Sequence, residues 1–563
     1  MLLEYDHHTM TLLLFIAFNF LLFLSIRGLL VVYKLIKNED FLIDKLEIYN
    51  TPLFVFYPIF SLFLIGNISI LSNFFLPLSD MYIFWIFFIC LLVILNFKER
   101  VSIENKSYFI ISFLVIPIIL AVSSYGLKLH FDSIDYHLNF QYWIRESTTV
   151  FGLSNLYVAY GWSTIYEYIL ANFWTKDNFL FLHFINLIFF TFFYNFLAFN
   201  ILFSKNSFLK VLSFSIAIYS FLDNFGVNGG GNGFLTIQMV GKPDLAVGIL
   251  FFISFILFLD DFLKKNYHFN NFLVICTLSL FAFQIKIVSV YLVIPLIIYS
   301  YKLDKKNINP SQIGFFVSLI TFTIIYILKN IAISGCLIFP IGSTCLDNLS
   351  WNNKQRISEF SDAVISGNYG IKIGDNLLLW FESWINNSYN IQVYTNMVIS
   401  FLIVWIINLV FFKKSSYSVE LNQKISFLFI FLLIVGFFIS GPTVRYGFGT
   451  FLIAFSVFSI NRNIFRFKEN VNLLSVIMGI VLFISIGLTP RLYSYKAFFQ
   501  SPFEIAQIED STEEYLDSPF LKNLDENFVK NSICYIPKTC VKNIEYKNIT
   551  YSTKLGYTIY SMK

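Results

Sequence analysis

Long apolar runs follow one another along almost the whole chain, and they constrain the fold more than any other feature. Most runs are continuous over about 16–25 residues, the length of a helix that crosses a bilayer, whereas strands of a membrane barrel are short and alternating. The short runs around Lys286 fit either one broken helix or two. In total the runs predict about 14 spans, near residues 11–33, 52–76, 82–97, 108–125, 178–204, 209–224, 244–262, 271–284, 287–301, 312–332, 392–412, 425–441, 446–461 and 471–488.

The composition agrees with a polytopic, all-α membrane protein. Only 13% of the 563 residues are charged, against about 25% in a soluble domain. The formal net charge of +4 does not indicate a nucleic-acid partner. The opening residues, MLLEYDHHTM, lack a basic stretch, so we expect the first run to be a retained helix and not a cleaved signal peptide.

The distribution of basic residues predicts the orientation. About half of the 39 Lys and Arg residues fall in alternate short loops and the span ends that feed them, and such loops face the cytoplasm. This orientation predicts that the long loops and both termini lie outside, which in a bacterium corresponds to a protein of the inner (plasma) membrane. The expected regions are N-terminal helices 1–125, an external loop 126–177, central helices 178–332, an external loop 333–391, C-terminal helices 392–488 and a small external cap within 489–563.

The cysteines offer an independent test of that orientation. Two of the six cysteines lie in apolar runs, and four form two close pairs in regions expected outside. The pairs are Cys336 with Cys345 and Cys534 with Cys540. Close pairs on the external side fit disulfides in an oxidising compartment. Metal ligation is the alternative, which is disfavoured because no histidine lies near either pair.

A polar cluster, HFDSIDYHLNFQYWIRE, spans residues 130–146 directly after an apolar run. A carboxylate just outside the bilayer, from Asp132 or Asp135, is suited to act as a general base on an acceptor hydroxyl. Arg145 could bind phosphate through its planar guanidinium. Paired aspartates in a loop are also often solvated or cap a helix, so chemistry alone does not decide between these interpretations.

Aromatic side chains and a histidine accompany the two aspartates. Tyr136 and Trp143 are candidates for stacking on a sugar, and His137 is a further candidate for binding substrate. The alternative is that these rings form the ordinary aromatic belt at a membrane surface.

The segment FDSIDYHLNFQYWIRESTTVFGLSNLYVAYGWSTIYEYI resembles the first large external loop of membrane glycosyltransferases with the GT-C fold (family 39-like). It is closer still to a related group of uncharacterised bacterial multi-pass proteins. Asp135-Tyr136-His137 stands where those enzymes carry an acidic motif, and the run 139–160 corresponds to their interfacial helices. Here the acidic pair is Asp-x-x-Asp and not Asp-Glu, which leaves the choice between Asp132 and Asp135 open, and more spans precede the loop.

Other landmarks of the resemblance follow in the same order along the chain. They are Lys242-Pro243-Asp244-Leu245, Lys329-Asn330 with Ser334-Gly335 and Pro340, Pro442-Thr443-Val444-Arg445-Tyr446, and the closing Cys-x5-Cys of the tail. The resemblance implies a bundle of about 12–14 transmembrane helices with external loops.

The resemblance also implies a function. Such enzymes transfer a sugar from a polyprenyl-phosphate donor to a glycan, lipid or protein acceptor, while membrane lipids surround the helices. Cations at the outer ends of spans would bind the phosphate, and the candidates are Lys242, Lys286, Lys329 and Arg445. Snorkelling to lipid headgroups is the alternative role for these cations, and we expect it of Lys286 and Lys329. No cofactor is required, although two aspartates would also suit a divalent cation.

Three other functions compete with this interpretation. A polysaccharide transporter or flippase predicts charges deep within spans and an internal repeat, and neither is clear. An O-antigen polymerase or ligase predicts an arginine-rich late loop, yet Arg356 is the only arginine in 333–391. A non-enzymatic membrane assembly protein is compatible with every feature of the sequence, because fold analogy does not establish activity.

Overall fold

The computed structural model describes most of the chain, with gaps. The described residues are 2–37, 47–48, 51–96, 105–126, 133–174, 180–225, 243–303, 308–366, 376–411, 431, 433–438, 444–460, 471–490, 494–496, 498 and 549–562. Asp132, Lys242, Cys534 and Cys540 lie outside them.

Helices dominate the described residues, and the long helices coincide with apolar runs. The first half contains α1 Leu2–Lys37, α2 Tyr57–Asn73, α3 Tyr82–Asn96, α4 Lys106–Ile110, α5 Ile116–Ala121, α6 Leu138–Glu146, α7 Leu153–Leu156, α8 Ile165–Ala171, α9 Leu180–Leu202, α10 Ser207–Phe225 and α11 Asp244–Lys264. The second half contains α12 Phe269–Ile285, α13 Val293–Lys302, α14 Pro310–Ser334, α15 Lys354–Ser366, α16 Leu377–Ile385, α17 Ser388–Phe411, α18 Phe448–Ile460 and α19 Val471–Leu488.

Short turns and strands complete the described chain. π-helical turns occupy Ile111–Val115 and Ser133–His137, and a 3-10 turn at Ile287–Leu292 precedes α13. Two antiparallel ribbons pair β1 Glu47–Ile48 with β2 Thr51–Pro52, and β3 Ile549–Lys554 with β4 Tyr557–Met562.

The chain is a predominantly helical integral membrane protein. Six described helical segments are long and apolar enough to cross a bilayer: Met10–Ile36, Lys106–Tyr125, Leu180–Leu202, Asp244–Lys264, Pro310–Ser334 and Ser388–Ile406. Shorter apolar helices occupy Tyr57–Asn73, Phe269–Ile285, Ile287–Lys302 and Ser475–Leu488. The candidate span 425–441 falls mostly outside the described residues.

The centre of the bundle differs from its periphery in burial. Every side chain of α11 from Asp244 to Phe262 is buried, as expected of a helix that is apolar all round and surrounded by neighbours. On α14, by contrast, one face is 45–52% exposed, and its members follow each other at intervals of three or four residues. These are Ile313, Val317, Ile320, Ile324 and Leu328. We interpret this face of α14 as turned towards lipid.

Polar side chains join helices inside the apolar core. Asn67 of α2 donates from Nδ2 to Gln284 Oε1 of α12 (3.2 Å), and Gln284 Nε2 donates back to Asn67 Oδ1 (2.8 Å). Both residues are fully buried. Such reciprocal amide pairs hold helices together where apolar packing against lipid gives no preference for a partner.

The two short runs around Lys286 form two antiparallel arms. Near the end of α13, the Tyr299 hydroxyl donates to Asp261 Oδ2 (2.6 Å), and it also lies 3.1 Å from the carbonyl oxygen of His268, just before α12. The arms therefore run from one end of the bundle to a turn and back again. Lys286, in extended conformation between them, stands at the apex.

The hairpin of β3 and β4 binds the loop after α6. Phe151 N–H donates to the Thr558 carbonyl (2.9 Å), and Tyr560 N–H donates to the Phe151 carbonyl (2.9 Å). Asn155 Nδ2 donates to the carbonyls of Tyr560 (2.9 Å) and Trp351 (2.8 Å). Parts of the regions 126–177, 333–391 and 489–563 thus contact one another.

This hairpin packs against the run 139–160. That run was expected to supply helices lying on the membrane, but most of its described side chains are buried within protein. Trp143, for example, is 3% exposed and meets the Tyr560 ring edge-on, with 6.3 Å between ring centroids. The run therefore packs against α8 and the hairpin, and its position at a membrane surface stays a prediction.

Cys336 and Cys345 form a disulfide, as expected for the first cysteine pair. The bond closes a short loop directly after α14. The residue that follows this helix, Gly335, has a left-handed backbone conformation. Within the loop, Leu337 N–H donates to the Thr344 carbonyl (3.1 Å). The loop is therefore held both covalently and by hydrogen bonds.

Candidate functional site

A cavity of about 480 Å³ lies where the α12–α13 apex, the π-turn and the disulfide loop meet. Its volume is in the range of small-molecule sites. Its lining consists of Tyr136, His137, Gly161, Trp162, Thr164, Pro243, Asp244, Phe283, Ile285, Lys286, Ile287, Val288, Val290, Tyr291, Tyr326, Asn330, Ile338, Phe339, Pro340, Ile341, Gly342, Ser343, Ser358, Ser361, Asp362, Val364 and Tyr446. The lining includes residues from every landmark between the acidic motif and Tyr446.

The acidic motif reaches the cavity through the π-turn Ser133–His137. Tyr136 and His137 line the cavity, and the centroids of their rings lie 4.1 Å apart. Asp135 belongs to the same turn, but its side chain lies outside the described part of the structure. The structure therefore brings the immediate neighbours of Asp135 to the cavity, while Asp132 lies outside the described residues.

Beneath His137 lies Glu167, which sequence reasoning missed. His137 Nδ1 is hydrogen-bonded to Glu167 Oε1, and the two residues are 6% and 2% exposed. Glu167 Oε2 accepts a hydrogen bond from Gln141 Nε2 (2.5 Å). The signal in the sequence was an acid between two tyrosines, Tyr166 and Tyr168, in an otherwise apolar stretch.

Those two tyrosines are neutral partners in the same helix, α8. Burial raises the pKa of Tyr166 well above the usual value of a phenol, and the nearby charge of Glu167 adds to the effect. Burial also raises the pKa of Tyr168, with a smaller contribution from Tyr326. Both hydroxyls therefore stay protonated, and Glu167 is the carboxyl group that α8 places behind the cavity.

Lys286 provides a cation in the cavity wall. Its ammonium pairs with Asp244 Oδ1 in the first turn of α11, and it lies 3.4 Å from the centroid of the Tyr446 ring. Lys286 is 24% exposed, so the expectation that it snorkels to headgroups is wrong for this geometry. Asp244 belongs to the motif Lys242-Pro243-Asp244-Leu245, in which the sequence predicts a role in substrate binding for Lys242 alone.

Two other expected cations border the cavity through their neighbours. Arg445 belongs to the 3-10 turn Val444–Gly447, and the next residue in that turn, Tyr446, lines the cavity. The side chain of Arg445 lies outside the described part of the structure. Lys242 lies outside the described residues, and the next residue, Pro243, lines the cavity.

Lys329 is fully buried, which corrects the expectation that it snorkels. Its Nζ donates to the Ser163 carbonyl and to Ser163 Oγ (2.9 Å). It also lies 4.1 Å from the centroid of the Tyr326 ring, whose residue lines the cavity. The lysine thus joins α14 to the segment before α8 from behind the cavity wall.

Arg145 and Trp143 do not line this cavity. Arg145 Nη1 donates to the Ala171 carbonyl (2.6 Å), and its guanidinium lies 5.4 Å from the centroid of the Trp174 ring. Burial lowers the pKa of Arg145, an effect that the charge of Glu146 partly offsets. Since contacts within the protein occupy both side chains, the structure gives neither a place in the cavity lining.

The wall formed by the disulfide loop and α15 is polar and aromatic. Ser343, Ser358, Ser361 and Asp362 contribute hydroxyl and carboxyl groups to the lining. Trp162 also lines the cavity, and its ring centroid lies 4.7 Å from that of Phe360. Hydroxyls, a carboxylate and an indole face are groups that can bind a polar, ring-shaped ligand.

A divalent cation has no evident protein ligands among the described residues. Within them, no group of three or more His, Cys, Asp or Glu side chains is placed to hold a metal ion. The carboxylates of Glu167 and Asp244 are engaged with His137 and Lys286. The aspartates expected to suit a divalent cation, Asp132 and the side chain of Asp135, lie outside the described residues.

Comparison with known proteins gives the chain a family. No curated protein and no solved structure shows significant similarity to it. A family model described as "Domain of unknown function (DUF8201)" matches residues 10–453, which include every residue that lines the cavity. Since the match covers most of the 563 residues, the chain belongs to this DUF8201 family.

Proposed function

We propose that this protein is a membrane glycosyltransferase of the GT-C type. It would move a sugar from a polyprenyl-phosphate donor to an acceptor hydroxyl at the external face of a bacterial plasma membrane, in cell-surface glycan synthesis. One observation carries the proposal. The motif segments at Tyr136, Asp244, Asn330, Pro340 and Tyr446, which are far apart in sequence, all line one cavity.

The cavity has the two properties that a lipid-linked donor needs. Phe283, Ile285, Val288 and Val290 form an apolar wall of the cavity. Lys286 stands at the end of that wall. A prenyl chain would lie along the apolar side chains while its phosphate pairs with the ammonium group.

The opposite wall suits the sugar and the acceptor. Trp162, Ser358, Ser361 and Asp362 offer an aromatic face and hydrogen-bonding groups. The turn Ser133–His137 would present the acceptor hydroxyl, with Asp135, or else Asp132, orienting or deprotonating it.

The proposed reaction is a direct displacement. The acceptor oxygen attacks the anomeric carbon in line, the bond from that carbon to the phosphate oxygen breaks, and the configuration inverts. The leaving phosphate keeps the electron pair, and Lys286, with Arg445 or Lys242, stabilises its charge. Most of the rate gain comes from holding the two reactants in this geometry.

The test is a mass-spectrometric profile of cell-surface glycans. The intact strain is compared with a deletion strain and with deletions carrying the wild-type gene, Asp132→Asn or Asp135→Asn. Asp347→Asn is the matched control, because the side chain of Asp347 is 74% exposed and does not line the cavity. Each variant is checked for its amount in the membrane fraction.

We expect the deletion to lose a sugar that the wild type and Asp347→Asn restore. Failure of one aspartate variant alone identifies the residue that acts on the acceptor. If deletion changes no glycan, or if both variants restore it fully, the proposed chemistry is wrong, and a transport or assembly function replaces it.

A further inference from the structure

The pair of His137 and Glu167 has a geometry that the proposed function has not used. His137 lines the cavity, and its Nδ1 atom is bonded to Glu167, which is only 2% exposed. A cavity-lining imidazole backed by a buried carboxylate is an arrangement that can accept and hold a proton.

With Glu167 ionised, hydrogen-bonding rules give the direction of each bond behind His137. The Trp174 indole can only donate, and it donates to Gln141 Oε1 (2.6 Å). Gln141 therefore turns its amide Nε2 towards Glu167, to which it donates (2.5 Å). A carboxylate only accepts, so Glu167 also accepts from His137 Nδ1–H. In the neutral imidazole, Nε2 is then the unprotonated nitrogen.

We propose that His137 Nε2 is the proton acceptor of the transfer reaction and that Glu167 is its positioning residue. This proposal rests on the proposed glycosyl transfer and assigns Asp135 to orienting the acceptor. Gln141 and Trp174 hold Glu167 in place, so that the imidazole keeps one tautomer and one orientation.

The step balances without another reactant. The acceptor O–H bond breaks as the bond from oxygen to the anomeric carbon forms, and the proton moves to His137 Nε2. The imidazolium that results keeps its Nδ1–H bond to the Glu167 carboxylate, which stabilises the new positive charge. The electron pair of the broken carbon–oxygen bond leaves with the phosphate.

The first test reads the tautomer and needs no substrate. Full-length protein with ¹⁵N-labelled histidine is studied by NMR in detergent at pH 9, where ordinary imidazoles are neutral. The chain has six histidines, and the His137 signal is the one that His137→Gln removes. We expect the Nδ1–H tautomer in the wild type and in Glu359→Gln, a control at an exposed position of α15. Glu167→Leu is expected to lose that preference.

The second test measures the initial rate at which the missing sugar reappears after induction of each variant in the deletion strain. We expect His137→Gln to lower the rate by about 10²–10⁴-fold, the usual contribution of a general base. Glu167→Gln is expected to lower it by up to about 10⁴-fold, as when a carboxylate that sets the tautomer of a catalytic histidine is replaced by its amide. Glu167→Asp, which keeps the charge, should recover part of that loss.

The outcomes separate this proposal from the proposed function. Full transfer by His137→Gln together with failure of Asp135→Asn overturns the role of His137 and leaves the glycosyltransferase intact. An Nε2–H tautomer in the wild type overturns the positioning role of Glu167. If deletion changes no glycan, both proposals fail, whatever the tautomer.

Discussion

Lys286 and Asp244 form an ion pair in the cavity wall, although 42 residues separate them in sequence. Lys286 stands at the apex between α12 and α13, and Asp244 opens α11. The side chains are 24% and 6% exposed, so most of each charged group is removed from water. The pair therefore joins two helical units at the place where the proposed donor phosphate would bind.

Breaking this pair on one side should destabilise the protein. In Lys286→Met, the Asp244 carboxylate loses its partner while it stays buried, and we expect the free energy of unfolding to fall by up to about 3 kcal/mol. The double variant Lys286→Met/Asp244→Leu should recover part of this loss, because no unpaired charge is left. Chemical unfolding in detergent measures both effects.

The same variants separate stability from function. Lys286→Met and the double variant should both fail to restore the glycan, since each lacks the cation. Lys264→Met is the control, because Lys264 pairs with Asp260 elsewhere in the protein and does not line the cavity. Full transfer by the double variant would show that Lys286 only balances Asp244.

The disulfide should stabilise the cavity wall. Replacing Cys336 and Cys345 by serine releases a loop closed over a sequence separation of 9, and loop-closure entropy predicts a loss of about 2–3 kcal/mol. Because residues 338–343 line the cavity, transfer should fall as well. Thermal unfolding of the oxidised, reduced and doubly substituted proteins tests this, with Cys90→Ser as the control for a free cysteine.

Gly152 allows the close approach of the C-terminal hairpin. It has a φ of +69°, and an added Cβ would lie 2.1 Å from the Tyr560 carbonyl oxygen. Gly152→Ala should therefore cost backbone strain of about 1 kcal/mol, and a further loss of about 1–3 kcal/mol from the clash.

Gly556→Ala is the matched control for that substitution. Gly556 has a φ of +82°, but an added Cβ would meet no atom within 4 Å, so only the backbone strain applies. The difference between the two unfolding free energies isolates the clash at Gly152. Equal losses would mean that the hairpin does not hold this position in solution.

Arg145 should contribute to stability and not to substrate binding. Arg145→Lys loses the planar contact with Trp174 and the geometry of the bond to Ala171, and we expect a loss of about 1–2 kcal/mol. Transfer per folded molecule should stay unchanged. In the control Arg356→Lys, an arginine bonded to the Asn155 carbonyl (3.0 Å) is replaced, and the loss should be smaller. Lost transfer at normal stability would return Arg145 to the substrate site.

The helices could be predicted from the sequence because continuous apolar length reports directly on crossing a bilayer. The runs at 178–204 and 244–262 correspond to α9 and α11, and the run at 312–332 corresponds to α14. The order of the motifs also pointed to one region, and Tyr136, Asp244 and Tyr446 do line one cavity.

The partners inside the site could not be predicted in the same way. Glu167 binds His137, and Asp244 binds Lys286, through contacts that depend on how distant helices pack. Nothing local to an acid or a lysine specifies such a partner. For the same reason Lys329 was expected at the lipid headgroups, although tertiary packing encloses it against Ser163.

Amphipathic patterns were similarly ambiguous. The run 139–160 combines rings with polar groups, which suits a membrane surface and a protein interior equally well. The hairpin of β3 and β4 adds packing that the pattern did not specify, because Tyr560 contacts the Trp143 ring and is hydrogen-bonded to Phe151. Segments far apart in sequence therefore supply contacts that the local pattern left open.

The distance in sequence between the cavity walls has a consequence for biogenesis. Tyr136 and Tyr446 line the same space, so the cavity cannot close while the helices between them are still being inserted. Contacts of such long range form slowly and late. In a nascent chain, the Lys286 ammonium would therefore lack its contact with the Tyr446 ring until the turn before α18 arrives, and ligand binding would report that synthesis has passed this point.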